Sequence, residues 1–356
     1  MQYLIESQLI LEYTLHRTCV GGNKGIQKDL DDGIDTIGKK MTVCQLYAKQ
    51  IRHRGNVRYN TKNGRKRLMK LLEEDKLGGC PIDSVKLSDA KEWAIRMKEK
   101  EISYKTISND KRSLKAAFYT AIQDDCIRKN PFDFQLNTVI EDDTEPKVPL
   151  TPAQEESFLS FAQNDKVYQK YYDELIILLG TGLRISELCG LTDTDIDFEN
   201  RIINVDHQLL RSAETGYYIE TPKTKSGIRQ IPMSEKVYEA FNRVLKRRRD
   251  AKAVTIDGYS NFLFLNRDGY PKTATNYDGM FRGLAKKYNK YHEEALPKVM
   301  TPHTLRHTFC ANMANAGMNP KALQYIMGHS NITMTLNYYA HATFDSAKAE
   351  MLRIAA

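Results

Sequence analysis

Four short segments gather the side chains best suited to chemistry. Residues 181–188 (TGLRISEL) place Arg184 directly after a glycine turn, with Glu187 three positions on. Residues 301–308 (TPHTLRHT) carry His303, Arg306 and His307 behind Pro302, a residue favoured at the first position of a helix. In such a helix His303 and Arg306, three apart, share a face. Residues 327–330 (MGHS) put His329 beside a glycine break, and residues 338–341 (YYAH) follow. Arginine offers a planar fork of donors that stays charged, suited to holding an oxyanion. Histidine moves protons near neutrality. A tyrosine phenolate can attack an electrophile and store a covalent intermediate.

Taken singly, each residue has a plainer use. Arg184 and Glu187 make an i,i+3 ion pair as readily as a catalytic couple. His329 after Gly328 can cap a turn. His303 and His307 have the four-residue spacing of a metal pair, but position 304 is Thr rather than a metalloprotease Glu and no third ligand is evident. No metal is therefore expected, and His307 reads as supporting. Tyr338 and Tyr339 point about 100° apart on a helix, so only one of them can face a given site.

Composition narrows the field. The chain has 356 residues, 41% of them apolar and 28% charged, enough for two or three domains with real cores. No apolar run approaches the ~18 residues of a membrane span. The N-terminal MQYLIESQLILEY carries Glu6 and Glu12 where a secretion signal needs basic charge and an unbroken apolar stretch. A cytoplasmic protein is expected, nucleoid-associated if it binds DNA. The six cysteines (Cys19, Cys44, Cys80, Cys126, Cys189, Cys310) show no C-x₂₋₄-C spacing, so they read as reduced packing residues. GxxxxGK[ST] is absent, which argues against ATP chemistry, and no cofactor is expected.

The elements that must position these residues fall into two groups. Residues 41–133 hold 21 Lys+Arg against 12 Asp+Glu, more than the whole chain's net +8. No acid precedes Glu73 in that stretch, although Arg52, Arg54, Arg58, Arg65, Lys66 and Arg67 crowd it. Lys105, Lys111, Arg112 and Lys115 form a second cluster. A solvated helix face is the plain reading; concentration in one domain is what phosphate-backbone binding needs. Apolar stripes predict four helices: Val43/Leu46/Tyr47; Leu68/Leu71/Leu72; Trp93/Met97, capped by Ser88 or Asp89; and Ile107/Leu114/Ala117/Phe118/Ala121, ended by Asn130-Pro131. Residues 134–149, acidic and carrying two prolines, read as a linker. Thr151-Pro152 then opens a second domain of mixed character. It has a buried helix over 167–179 and a short one over 183–188. Strands are expected at 201–205, 217–220, 228–231 and 262–265, with residues 225–227 near a hairpin turn. Helices follow over 234–250 and from 273 onward, broken at Gly317 and Gly328.

The motifs GLRISEL, HTLRHTF and MGHSNI…YYAH, in this order, resemble those of the tyrosine recombinase (phage integrase) family. The segment VDHQLL…YYIETPKTKSGIRQIPM is most similar to integrases of conjugative transposons and related integrative elements. The resemblance implies a mainly α fold with a small antiparallel β-sheet, arranged as a two-domain DNA clamp. Its parts would be an N-terminal segment (1–40) with no clear arm-binding domain, a helical core-binding domain (41–133), the linker (134–149), a catalytic domain (150–342) and a C-terminal helix (343–356) exchanged between protomers.

The resemblance also implies roles. Arg184 and Arg306 would clamp a DNA phosphate, His303 would assist proton transfer and His329 would donate to a phosphate oxygen. Lys225, favoured over Lys223, would be the general acid, and Tyr339, just before Ala340-His341, the nucleophile. Glu187 would support the arginine. The expected partners are double-stranded DNA, three further copies in a synaptic tetramer, and accessory excision or host DNA-bending proteins. The same residues are compatible with a type IB topoisomerase, which shares this chemistry, with a Xer-type chromosome-dimer recombinase, and with a non-catalytic DNA-binding protein of the same fold.

Overall fold

The computed structural model describes residues 40–55, 57–145, 148–222, 224–247, 254–339 and 351–352. It divides into two compact units, Met1–Glu145 and Pro146–Ala356. Expectations for residues 1–39, for Lys223 and for His341 lie outside the described residues, as does the C-terminal segment apart from exposed Met351 and Leu352.

In the first unit the four expected helices form: α1 Val43–His53, α2 Tyr59–Glu73, α3 Leu87–Glu99 and α4 Tyr104–Gln123. Thr42 caps α1 by accepting from the Gln45 amide (3.2 Å), while the Gln45 side chain accepts from the Thr42 amide (2.9 Å). Helix α3 starts just before the expected caps, and Asp89 accepts from the Lys86 amide (2.8 Å) from within its first turn. Helix α4 stops at Gln123, well before Asn130-Pro131, and Asp125 turns the chain at φ +54°. The inward stripes close around Trp93, whose ring meets Phe132 edge-on (5.7 Å between centroids). Leu71 stays at the rim of this core.

The linker is shorter than expected. Leu136 and Ile140 are buried in the first core and Phe134 packs against it, so 134–140 belongs to the helical unit. The apolar spacing 132/136/140 anchors this stretch despite its polar surroundings. Residues 141–145 are exposed.

The second unit begins with α5 (Pro152–Asn164), where the Thr151 hydroxyl accepts from the Gln154 amide (3.1 Å). Then come α6 (Tyr172–Thr181) and α7 (Ile185–Gly190). Among the described residues five strands make two antiparallel sheets rather than one. Strands β1 (Ile196–Asp197), β2 (Ile202–Val205) and β5 (Arg229–Pro232) are ordered β1-β2-β5. Strands β3 (Gln208–Ser212) and β4 (Gly216–Glu220) form a separate hairpin. Strands β4 and β5 are therefore not paired, and residues 225–227 form a 3₁₀ turn between sheets. The stretch 262–265 makes only single bridges, Thr192 to Phe262 and Leu265 to Pro271.

Helices α8 (Glu235–Arg247), α9 (Ala274–Tyr291), α10 (Pro302–Asn315), α11 (Pro320–Met327) and α12 (Thr333–Leu336) follow. Gly317 and Gly328 make the expected breaks, both at positive φ. The core runs from Phe158 through Leu175, Leu178 and Phe241 to Phe281 and Leu305. No helix among the described residues is long and apolar enough to cross a membrane.

Candidate active site

Helix α6 is apolar on most sides and buried, with Leu175, Ile177 and Leu178 fully enclosed. It ends on Gly182 at φ +63°, where a Cβ would lie 2.5 Å from the Phe309 ring and 2.9 Å from Met327 Sδ. Glycine alone fits that reversal. The chain then presents Arg184 as the residue capping α7. Glu187, one turn into α7, accepts from the Arg184 amide (2.8 Å) and from Arg184 Nη1 (2.7 Å).

From the other side Arg229, on β5, donates to the same carboxylate through Nη1 (3.0 Å) and Nη2 (2.9 Å). Burial alone would raise the Glu187 carboxyl. The Arg229 hydrogen bonds, with the charges of Arg229, Arg184 and Arg306, instead hold it at about 2.

The two expected clamp arginines reach across the same space. Arg184 Nη2 donates to the Gly328 carbonyl (3.0 Å). Arg306, buried on α10, donates through Nη1 to the Gly182 carbonyl and through Nη2 to the Met327 carbonyl. Each guanidinium thus fastens the glycine turn beside the other's site. Burial, then repulsion from Arg184, lowers Arg306 to about 9, which leaves it charged at neutral pH. His329 follows Gly328 and is buried, its Nδ1 paired with Thr335 Oγ1 (2.9 Å). Burial and the nearby Arg306, Arg184 and Arg229 lower it to about 4, so its ring is neutral at pH 7.

The remaining expected residues lie around this centre in different ways. His303 is exposed, one turn before Arg306, its ring 6.2 Å from that of His307. His307 Nδ1 meets the Tyr338 hydroxyl. Lys225 is exposed in the 3₁₀ turn. Tyr339 is half-buried against the cluster of Phe309, Cys310 and Met327, and its hydroxyl donates to the Met318 carbonyl (2.5 Å). The phenol expected to attack is therefore held on a backbone oxygen, and its neighbour is the tyrosine that touches a site histidine.

Arg229 was missed from the sequence. Its signal was register: in RQIP, Arg229 and Ile231 share the buried face of a short strand. Among the described residues the one group of three candidate metal-ligating side chains is Asp195, Asp206 and His207. His207 already directs its ring nitrogens at Asp206 (2.5 Å) and the Gly190 carbonyl (2.8 Å).

The basic residues of the first unit also divide. Arg67 Nη2 donates to both carboxylate oxygens of buried Asp110 (2.5 and 2.7 Å). Lys111 donates to the Phe134 carbonyl and sits over the Phe134 ring (4.4 Å). Lys115 pairs with Asp133 (2.5 Å). These three fasten α2 and the 133–134 segment to α4, so their donors serve the fold. Arg52, Arg54, Lys66, Lys105 and Arg112 are exposed, and Arg58 and Arg65 are half-buried.

Comparison with known proteins gives the family. The model of the phage integrase family matches residues 149–346. The transposase from transposon Tn916 of Enterococcus faecalis is 68% identical over 329 residues, covering 92% of this chain and 81% of that protein. The transposase from Tn1545 of Streptococcus pneumoniae matches to the same extent. A structure of the Tn1549 transposon integrase with a circular intermediate DNA superposes with TM-score 0.85 at 77% identity, covering 88% of this chain and 99% of that one. A tyrosine-to-phenylalanine form of that integrase with transposon right end DNA gives TM-score 0.84 at 78% identity, over 89% of this chain and all of that one. Lambda integrase bound to a core site shares the fold alone, with TM-score 0.55 at 16% identity, over 82% of this chain and 92% of that one. This chain belongs to the phage integrase family and is a tyrosine recombinase.

Proposed function

We propose that this recombinase is the integrase of a conjugative transposon, cutting and rejoining DNA at the element's ends and in its circular intermediate. The observation that carries the reading is the convergence of Arg184 and Arg306 on Glu187 and on the glycine turn that carries His329, in a chain 68% identical to the Tn916 transposase. Two guanidinium groups and a neutral imidazole make a site for a phosphodiester whose charge rises as a fifth oxygen approaches phosphorus.

Because the Tyr339 hydroxyl is held on the Met318 carbonyl, the phenol that attacks the phosphorus in the proposed reaction is that of Tyr338, which already stands against His307. Its proton passes through His303, and the bond to the 5′ oxygen breaks. Lys225 protonates that oxygen, leaving a 3′-phosphotyrosine and a 5′ hydroxyl. The ester keeps the energy of the broken bond, so rejoining needs no nucleotide cofactor. Arg184 and Arg306 hold the non-bridging oxygens, His329 donates to one of them, and Glu187 and His307 orient the set.

The exposed side chains Arg52, Arg54, Lys66, Lys105 and Arg112, with the half-buried Arg58 and Arg65, bind the duplex backbone, while Arg67, Lys111 and Lys115 act by shaping that surface. A tetramer holding two duplexes, with the C-terminal segment exchanged between copies, would perform strand exchange in the bacterial cytoplasm alongside accessory DNA-bending or excision proteins.

A nicked substrate that traps covalent protein tests the assignment. Wild type and Tyr339→Phe should form the adduct and Tyr338→Phe should not; the reverse result would return the role to Tyr339. Strand exchange between two marked duplexes separates recombination from simple relaxation.

A further inference from the structure

We infer that Arg229 is a positioning residue that fixes where the proton-donating lysine stands. The inference rests on the reading of Lys225 as the general acid. Arg229 is 3% exposed, and its one guanidinium ties the lysine turn to helices α7 and α11. Nη1 donates to the Gly227 carbonyl (3.1 Å), at the end of the turn that begins with Lys225. Nε donates to the Ile326 carbonyl (2.6 Å), at the end of α11 and three residues before His329. Nη1 and Nη2 hold the Glu187 carboxylate that also receives Arg184.

The turns so joined are in close contact. A Cβ on Gly328 would lie 3.0 Å from the Ser226 carbonyl and 3.1 Å from Arg229 Nη1. The lysine turn is therefore seated on the glycine that precedes His329, with Arg229 filling the space behind. Its other flank is equally tight, since a Cβ on Gly227 would stand 2.3 Å from Pro222 Cβ.

A buried arginine–carboxylate pair adds little stability over apolar side chains of similar volume. What this arginine adds is direction: donors aimed at the lysine turn, the histidine turn and the carboxylate behind Arg184. The lysine has a flexible stem and is itself exposed, at the start of a turn whose last residue, Gly227, is buried. Its ammonium reaches the leaving oxygen only as accurately as the turn is held, and misplacement of such a group is costly to rate.

The leaving group provides a selective test. Sulfur in place of the bridging 5′ oxygen departs as a thiolate and needs no proton. Arg229→Lys and Arg229→Gln should cleave ordinary DNA about 100-fold more slowly, within the range a general acid contributes, and recover most of that loss on the sulfur substrate. Gly227→Ala, which displaces the turn and leaves every charge in place, should show the same selective loss. It decides the matter if the Arg229 variants do not fold.

Lys225→Ala is the reference. If it is not rescued by sulfur, the general-acid reading of Lys225 fails. If it is rescued while the folded Arg229 variants, or Gly227→Ala in their stead, lose both substrates equally, the positioning role of Arg229 is overturned.

Discussion

At the scale of single residues, the site is a balance of three arginines against one buried carboxylate. Glu187 at about 2 lies below its ordinary 4.5, so its contribution to stability is complete above pH 4.5 and is lost as pH falls toward 2. His329 at about 4 lies below its ordinary 6.5, so the unfolded chain takes up its proton first and stability falls from pH 6.5 down to 4. Each shift corresponds to about 3 kcal/mol. Denaturant titrations should therefore show stability declining below pH 6.5, and His329→Gln should flatten the segment between 6.5 and 4. An unchanged slope would show that the histidine's surroundings are not as described. Replacing Arg184 with Lys keeps the charge but loses the fork that spans Glu187 and the Gly328 carbonyl; cleavage should fall by about 100-fold or more with the melting temperature little changed. The residues converging here were legible because four motifs pointed to one chemistry. Arg229 was not, because an arginine in a short strand gives no chemical signature until register shows that it faces inward.

At the scale of elements, the helices of the first unit followed their apolar spacing, since packing of a continuous stripe decides a helix. The strands were harder. Gln208–Ser212 mixes polar and apolar residues without a clean alternation, and its partnership with Gly216–Glu220 is fixed by a turn and by contact with α7, neither visible in the run itself. The same limit applies to charge: Arg67, Lys111 and Lys115 read as surface donors because their partners are distant in sequence or are backbone carbonyls. Removing Arg67 strands the buried Asp110 carboxylate, so Arg67→Ala should destabilise the protein by about 1–3 kcal/mol in chemical denaturation. Lys105→Ala should leave stability unchanged and weaken DNA binding, lowering the salt slope by about one ion. If the two variants behaved alike in both measurements, the division between fold-serving and surface charges would be wrong.

At the scale of the whole chain, two cores separated near Glu145 mean that a protease finds its opening at the exposed 141–145 stretch. Brief digestion should give two resistant fragments, and early cuts inside α1–α4 or α5–α11 would contradict separate cores. The guanidinium groups of Arg184 and Arg306 are already fastened to the Gly328, Gly182 and Met327 carbonyls in the protein alone. Their arrangement is inherited from tertiary structure, with little left for a substrate to organise. Warming should consequently abolish strand cleavage and melt the second unit along one common curve, with no cooler interval in which the molecule remains intact but has lost its competence.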